Sequence, residues 1–267
     1  MPPLLPSFFI SHGGGPWPYM EGEFRDKFKQ LEASLQELPR LLSEQPKAVL
    51  MISAHWQTNE FSVMSSQSPV MIYDYSGFPQ HTYEVQYPAA GSPQLAAQVK
   101  KLIVDAGFPV QLDTRQGFDH GTFAPMAVIY PKADIPVVQL SIREDFDPAT
   151  HLTIGKALAP LREQGILIIG SGLSYHNLRQ FGPAARESSK AFDDWLQKVL
   201  CNSSAKERLN KLTNWEQAPF ARQVHPNEDH LIPLLIAVGA GEEEAGQCIY
   251  HEEEFFSGIS VSGFRFG

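Results

Sequence analysis

The feature that most constrains this chain is an apolar run that ends in a histidine, Lys47-Ala-Val-Leu-Met-Ile-Ser-Ala-His55-Trp56. Ala48 to Ile52 is short, unbroken and rich in β-formers, the pattern of a strand covered on both faces of a sheet. In open α/β sheets the carboxyl ends of the strands face the crevice where ligands bind. A histidine two or three residues beyond such a run is therefore poised over a site. The pattern recurs twice. Leu4 to Ile10 leads into Ser11-His12-Gly13-Gly14-Gly15-Pro16, and Ile166 to Ile169 leads into Gly170-Ser-Gly-Leu-Ser-Tyr-His176-Asn177. Three strand exits carrying histidine among glycines point to a metal.

Helical patterns alternate with these strands. Phe24, Phe28, Leu31, Leu35 and Leu38 predict an amphipathic helix over roughly Gly22 to Leu42. Ser92-Pro93 and Asp147-Pro148 each pair an N-cap with proline at the first helical position. The second of these helices closes at Gly165 and is kinked or shortened at Pro160. Pro183 to Leu200, Ser204 to Leu212 and the apolar Leu231 to Ala240 read as further helices. Phe61 to Met64, Val70 to Ile72, Val110 to Leu112 and Ile135 to Ile142 read as strands, and Ile259 to Phe266 as an edge strand. Gln116 to Pro125 is a loop by composition, with a helical turn at Met126 to Tyr130. Strand–helix alternation without repeats or low-complexity linkers predicts a single α/β domain over residues 1–267, a sandwich with a central, mainly parallel sheet and helices on both faces.

Composition narrows the partners. With 43% hydrophobic residues, 267 positions suffice for one large core. A net charge of −9 disfavours a nucleic-acid partner. Glu242 to Glu244 and Glu252 to Glu254 read as solvated surface. Cys201 and Cys248 show no metal or redox spacing, which suits a reducing compartment. Without a signal-peptide pattern or an apolar stretch near the ~20 residues that span a bilayer, a soluble cytoplasmic protein with no membrane partner is expected.

The nine histidines carry unequal weight. His12 and His55 follow buried-type strands and sit beside small residues; the ordinary alternative is a polar strand cap bonded to backbone. His225 and His230 are five positions apart, about 140° around a helix, so they do not share a helix face. His230, adjoining the apolar helix, is the better site residue, and His225 reads as a surface residue. His176 and His120 lie in loops, His120 next to Asp119, where a bond to a neighbouring carbonyl or an aspartate-capped loop is the plain alternative. His81, His151 and His251 have no comparable context. Three neutral imidazoles hold a divalent first-row metal and leave positions free for substrate or water. Ligand type alone leaves Fe(II) and Zn(II) both open.

Taken together, Ser11-His12-Gly13, Ser53-Ala-His55-Trp56, Gly117-Phe-Asp-His120-Gly121, Tyr175-His176-Asn177-Leu178-Arg179 and Asp229-His230-Leu-Ile-Pro-Leu-Leu235 resemble the class III extradiol ring-cleavage dioxygenases. The branch they most resemble is the DOPA 4,5-dioxygenase type, with Gly77-Phe-Pro79 and Tyr87 to Pro93 adding to the likeness from about Phe8 to Gly239. The resemblance implies metal ligation by His12, His55 and His230, acid–base or substrate-binding work for His176, and a substrate-side role for His120. In a zinc form it also implies His176 as a fourth ligand. Protocatechuate-cleaving relatives carry a glutamate where this chain has His230, which leaves iron against zinc open. The implied reaction opens a catecholic, DOPA-like substrate with O2 to a muconate semialdehyde. An aromatic loop of Trp17, Tyr19, Tyr73 and Tyr75 is expected over the ring. A zinc-dependent hydrolase with Glu228 or Asp229 as base, and a non-catalytic metal-binding protein on the same scaffold, are the alternatives. Oligomeric state is not legible.

Overall fold

The structure, a computed structural model, describes residues 4–267. In chain order its elements are β1 (Ser7–Ser11), α1 (Gly22–Asp26), α2 (Lys29–Glu37), β2 (Ala48–Thr58), β3 (Phe61–Met64), α3 (Pro93–Asp105), β4 (Val110–Asp113), α4 (His120–Ile129), β5 (Val137–Arg143), α5 (Pro148–Leu158), β6 (Ile166–Gly172), α6 (Arg186–Asn202), α7 (Ala205–Thr213), α8 (Ala221–Val224), α9 (Ile232–Ala240), β7 (Gly246–Phe255) and β8 (Ile259–Phe266). The eight strands form one sheet in the order β4-β3-β5-β2-β6-β1-β8-β7. β5, β2, β6 and β1 run parallel at its centre, β8 joins β1 antiparallel, and β3 joins β5 antiparallel. This is the mainly parallel α/β sheet that the alternating pattern predicts.

Every residue of β1 and β6 is buried, so both faces of the sheet are covered at its centre. That explains why these strands read as unbroken apolar runs rather than as alternating ones. Because β1, β2 and β6 are parallel neighbours, their carboxyl ends open on one rim. On one side α9, buried at all nine positions, packs against β6 and β1, and α5 packs on α9. The approach is close enough to need glycine: a Cβ on Gly155 of α5 would lie 2.8 Å from the Gly239 Cα of α9. The Ser92 hydroxyl caps α3 by accepting from the Leu95 N–H, and the Asp147 carboxylate caps α5 by accepting from Thr150.

Several local expectations are corrected. The stretch from Gly22 to Leu42 is not one helix but α1, α2 and a 3-10 turn at Leu38–Leu41, broken at Phe28 and at Pro39. Val70 to Ile72 forms only a single bridge, Met71 to Phe118. The region read as a loop ending at Pro125 is helical from His120. Pro125 has no N–H for the Gly121 carbonyl one turn back, and the Ser171 hydroxyl donates to that carbonyl instead. Ile259 to Phe266 is not an edge, because β7 pairs outside it. That edge carries exposed Glu253 and Glu254, as unpaired strand edges commonly do. Glu252 of the same cluster turns inward and accepts the Tyr250 hydroxyl at 2.7 Å.

Candidate metal centre

Five of the histidines meet at the carboxyl rim of the sheet. His12 follows β1, and its carbonyl accepts the Trp17 indole N–H at 2.7 Å. Gly13 makes that turn at φ +84°, where an added Cβ would lie 2.3 Å from Trp17 Nε1. His55 lies inside β2, at the register shift between Ile52 and Gln57 that turns it towards the rim. His120 opens α4 behind its N-cap Asp119, which also accepts the Ser53 hydroxyl at 2.8 Å. The His176 N–H donates to the Val224 carbonyl at 3.1 Å. His230 precedes α9 and hands its carbonyl to the Leu173 N–H at 3.1 Å, over a glycine: a Cβ on Gly172 would lie 2.1 Å from that oxygen.

The rings of His12, His55 and His230 form a nearly equilateral triangle, with centroids 4.9, 5.1 and 4.9 Å apart. His12 Nε2 and His55 Nε2 are 3.2 Å apart. Two nitrogens each about 2.0–2.1 Å from one ion would be separated by about 3.0–3.4 Å, depending on geometry. His120 joins from the side, 3.9 Å from His55 and 5.4 Å from His12 by centroid. One imidazole nitrogen from each of His12, His55 and His120 lies within 4.8 Å of the other two, and so does one ligand atom from each of His176, Asp229 and His230.

The outer nitrogens are held by partners that set the tautomers. Asp74 Oδ1 accepts from His120 Nδ1 at 2.8 Å and from the His120 backbone N–H at 3.0 Å, and its Oδ2 lies 3.4 Å from His55 Nδ1. The Ser171 hydroxyl spends its proton on Gly121, so it only accepts from His12 Nδ1, 3.3 Å away. His120 and His12 thus keep the proton on Nδ1, and the carboxylate beside His55 Nδ1 favours the same tautomer there, which turns the Nε2 lone pairs inward. Asp229 Oδ2 lies 3.1 Å from His230 Nδ1, outside hydrogen-bond alignment. Asp74 and Ser171 were missed from sequence. Asp74 sits in an irregular stretch between aromatic residues, with no spacing to tie it to either histidine.

Electrostatics favour neutral, ligating imidazoles. Burial, then the neighbouring His55 and His230, holds His12 well below the ordinary histidine range. Burial, then His120 and His230, does the same for His55. Burial takes His230 down to about 4, against the pull of Asp229. Lone pairs on these rings are therefore free at neutral pH. His225, read as a surface residue, is fully buried. Its Nε2–H donates to the Ser174 carbonyl at 3.0 Å, and its ring packs against Phe192 and Trp215. The stretch between His225 and His230 is not helical, so angular spacing around a helix says nothing about burial there.

The rim opens into a cavity of about 330 Å³ lined by all five imidazoles, the Gly13–Gly15 turn, two leucines and six phenylalanines. The expected aromatic cover is replaced. Trp17 is fully buried against Phe28, and Tyr19, Tyr73 and Tyr75 stand outside the lining. Tyr75 still meets the edge of His120, with centroids 5.9 Å apart.

An α/β sheet with a buried set of inward-facing imidazoles at one rim defines a metal-dependent protein. Comparison with known sequences narrows the class. Residues 6–267 match the family described as the catalytic LigB subunit of aromatic ring-opening dioxygenase. The chain is 38% identical over 264 residues to a 4,5-DOPA dioxygenase extradiol of Beta vulgaris, covering 97% of this chain and 96% of that one. It is 35% identical over 268 residues to the protein of that name from Escherichia coli K12, covering 98% and 95%. The crystal structure of an uncharacterized Escherichia coli K12 protein superposes with a TM-score of 0.78 at 29% identity, covering 98% of this chain and all of that one. The chain belongs to the LigB family, and it is a metal-dependent extradiol ring-cleaving dioxygenase that uses a small aromatic substrate and O2. Among the described residues no helix is long and apolar enough to cross a membrane.

Proposed function

We propose that the chain, acting over residues 1–267 as one catalytic unit in the cytoplasm, opens a catecholic, DOPA-like substrate to a muconate semialdehyde. His12, His55 and His230 hold one divalent ion, Fe(II) or Zn(II), through Nε2. The observation that carries this reading is the triangle of their three rings, His12 and His230 buried and His55 half-buried, with two Nε2 atoms 3.2 Å apart. The relatives named for DOPA supply the substrate class.

When bound, the metal acidifies a catechol hydroxyl and makes O2 reactive towards the ring. The protein's own part is to place the ring and move protons. The phenylalanine wall holds the aromatic face and excludes water from the imidazoles. His120, anchored on Asp74, stands beside His55 and orients the substrate oxygens. His176, at the cavity wall beside Asp229, takes the second catechol proton and returns a proton as the ring opens. In a zinc form His176 is the fourth ligand. The two carboxylates suggested as hydrolase bases are otherwise engaged: Glu228 pairs with Arg222, and Asp229 faces His176 and His230.

The test is anaerobic loading with Fe(II) or Zn(II), metal analysis, and O2 uptake against a catechol panel. Stoichiometric metal with catechol-dependent O2 consumption and a yellow product is expected. Metal binding without O2 consumption for any catechol would sink the proposal.

A further inference from the structure

Apart from the five imidazoles and the Gly13–Gly15 turn, the cavity is lined by phenylalanine and leucine side chains. With the two catechol oxygens at the imidazoles, a charged ring substituent finds no partner along that wall and comes to lie at the mouth, in contact with water. Phe256 belongs to the lining in a conformation that costs energy to hold. It and Ser257 are the central residues of the β7–β8 turn, at φ +46° and +68°, and the Gly258 N–H closes the turn on the Phe255 carbonyl at 3.3 Å. Turns of this geometry are usually made with asparagine and glycine, because a bulky side chain is disfavoured at positive φ. The half-buried Phe256 ring is fixed by edge contacts with Phe28 and Phe181, at 5.4 and 5.1 Å between centroids. Lys27 Nζ lies over the same ring, 5.2 Å from its centroid.

Lys27 is exposed and stands in the chain between Phe24 and Phe28, which both line the cavity. Its neighbouring cations are neutralised, Arg25 by Glu32 and Lys29 by Asp26. Among the described residues no carboxylate pairs with Lys27. An ammonium resting on an aromatic face keeps its charge and its outward donors. Resting on the catechol reading above, we infer that Lys27 is a specificity-determining residue, whose ammonium pairs with the carboxylate of a DOPA-like substrate at the mouth of the cavity. The strained turn places the Phe256 ring beneath Lys27, so the ammonium is held at the rim rather than left to sweep through solvent. A carboxylate there stays partly hydrated, so the pair is worth what exposed ion pairs are worth, a few-fold in affinity.

The experiment compares L-DOPA and 3,4-dihydroxyphenylpropionate, which carry a carboxylate, with 4-propylcatechol, whose side chain is uncharged. Dissociation constants come from calorimetry on the metal-loaded protein without oxygen, and kcat and KM from O2 uptake. Lys27→Met keeps most of the side chain's length and removes its charge. It should weaken binding of both carboxylated catechols by about two- to fivefold and raise their KM alike, leaving kcat and the binding of 4-propylcatechol unchanged. Lys27→Arg should retain carboxylate binding, and Lys29→Met, the same charge change two residues away, should leave all three compounds unaffected. Carboxylated catechols that bind Lys27→Met as well as the unmodified enzyme overturn the inference and leave the catechol reading standing. An equal loss for 4-propylcatechol overturns it too, by making Lys27 a packing residue, and so does an equal effect of Lys29→Met, by making the attraction one of general charge. O2 uptake by the unmodified enzyme with none of the three removes the catechol reading, and the inference with it.

Discussion

His176 lies face to face on His230, with ring centroids 3.4 Å apart and planes 15° from parallel. A stacked ring shows its neighbour a face rather than a lone pair, so His176 backs the proposed ligand His230 while its own nitrogens stay at the cavity wall. Between them, Asp229 has Oδ1 3.7 Å from His176 Nδ1 and Oδ2 3.1 Å from His230 Nδ1. Burial alone would raise the Asp229 carboxyl, but the two imidazoles outweigh it and hold the group well below the usual carboxylate range. An ionised Asp229 keeps both rings in place and gives His176 a partner when it takes a proton.

His176→Ala is predicted to keep the metal and to lower kcat by roughly 10²–10⁴-fold, the range for loss of a general acid–base. Metal content by elemental analysis is read beside O2 uptake on the same sample. Metal lost in parallel with activity would make His176 a ligand rather than an acid–base, and full activity would remove it from the reaction.

The Asp74 carboxylate reaches both His55 and His120. Asparagine keeps one acceptor oxygen where aspartate has two, so in Asp74→Asn one of the rings loses its anchor and its preferred tautomer. Metal affinity is predicted to fall by roughly 10–100-fold, as for other partners of ligating histidines. Competition against a chromogenic chelator measures it, and an unchanged dissociation constant would exclude the positioning role.

What was legible in the sequence follows from what each residue's neighbours required. β1, β2 and β6 were readable because strands buried on both faces have no polar alternation to confuse them, and the histidines beyond them stood out against glycine. The α4 helix was hidden because Gly121 and Pro125 are helix breakers by composition. The Ser171 hydroxyl that completes its hydrogen bonding is 50 residues further along the chain. Asp74 was hidden for the same reason, its partners being set by tertiary contact alone. The phenylalanines of the cavity wall come from four separate stretches of chain, and only two of the six, Phe24 and Phe28, showed a pattern, one that read as plain helix packing.

Gly172 and the His230 carbonyl make the tightest approach at the centre. In Gly172→Ala the new methyl, 2.1 Å from that oxygen in the present backbone, must push His230 and the start of α9 off β6. Overpacking of this kind costs about 1–3 kcal/mol, so a lower unfolding midpoint together with weakened metal binding is predicted. Gly14→Ala is the comparison, since its Cβ would meet only Phe28 Cζ at an ordinary 3.6 Å. Equal midpoints and equal metal affinity for the two variants would show that β6 has room to spare beneath His230.

Acid sensitivity should come in part from a histidine outside the metal centre. His151 is fully buried, donates Nδ1–H to the Asp147 carbonyl at 2.7 Å and accepts the Arg143 N–H on Nε2 at 3.1 Å. Burial, opposed by the bond to Asp147 and by nearby carboxylates, takes it from 6.5 down to about 4. The folded protein therefore holds this ring neutral in a range where the unfolded chain protonates it. Its contribution is fully present above pH 6.5 and is lost as pH falls towards 4, on the order of 3 kcal/mol over the whole window. His151→Gln removes the titrating group, so its unfolding free energy should fall less steeply between pH 6.5 and 4, by about 1.4 kcal/mol per pH unit. Denaturant titrations of the two metal-free proteins across that window measure the slopes. The site imidazoles titrate in both proteins and cancel in the comparison, so parallel slopes would mean that His151 is already protonated in the fold.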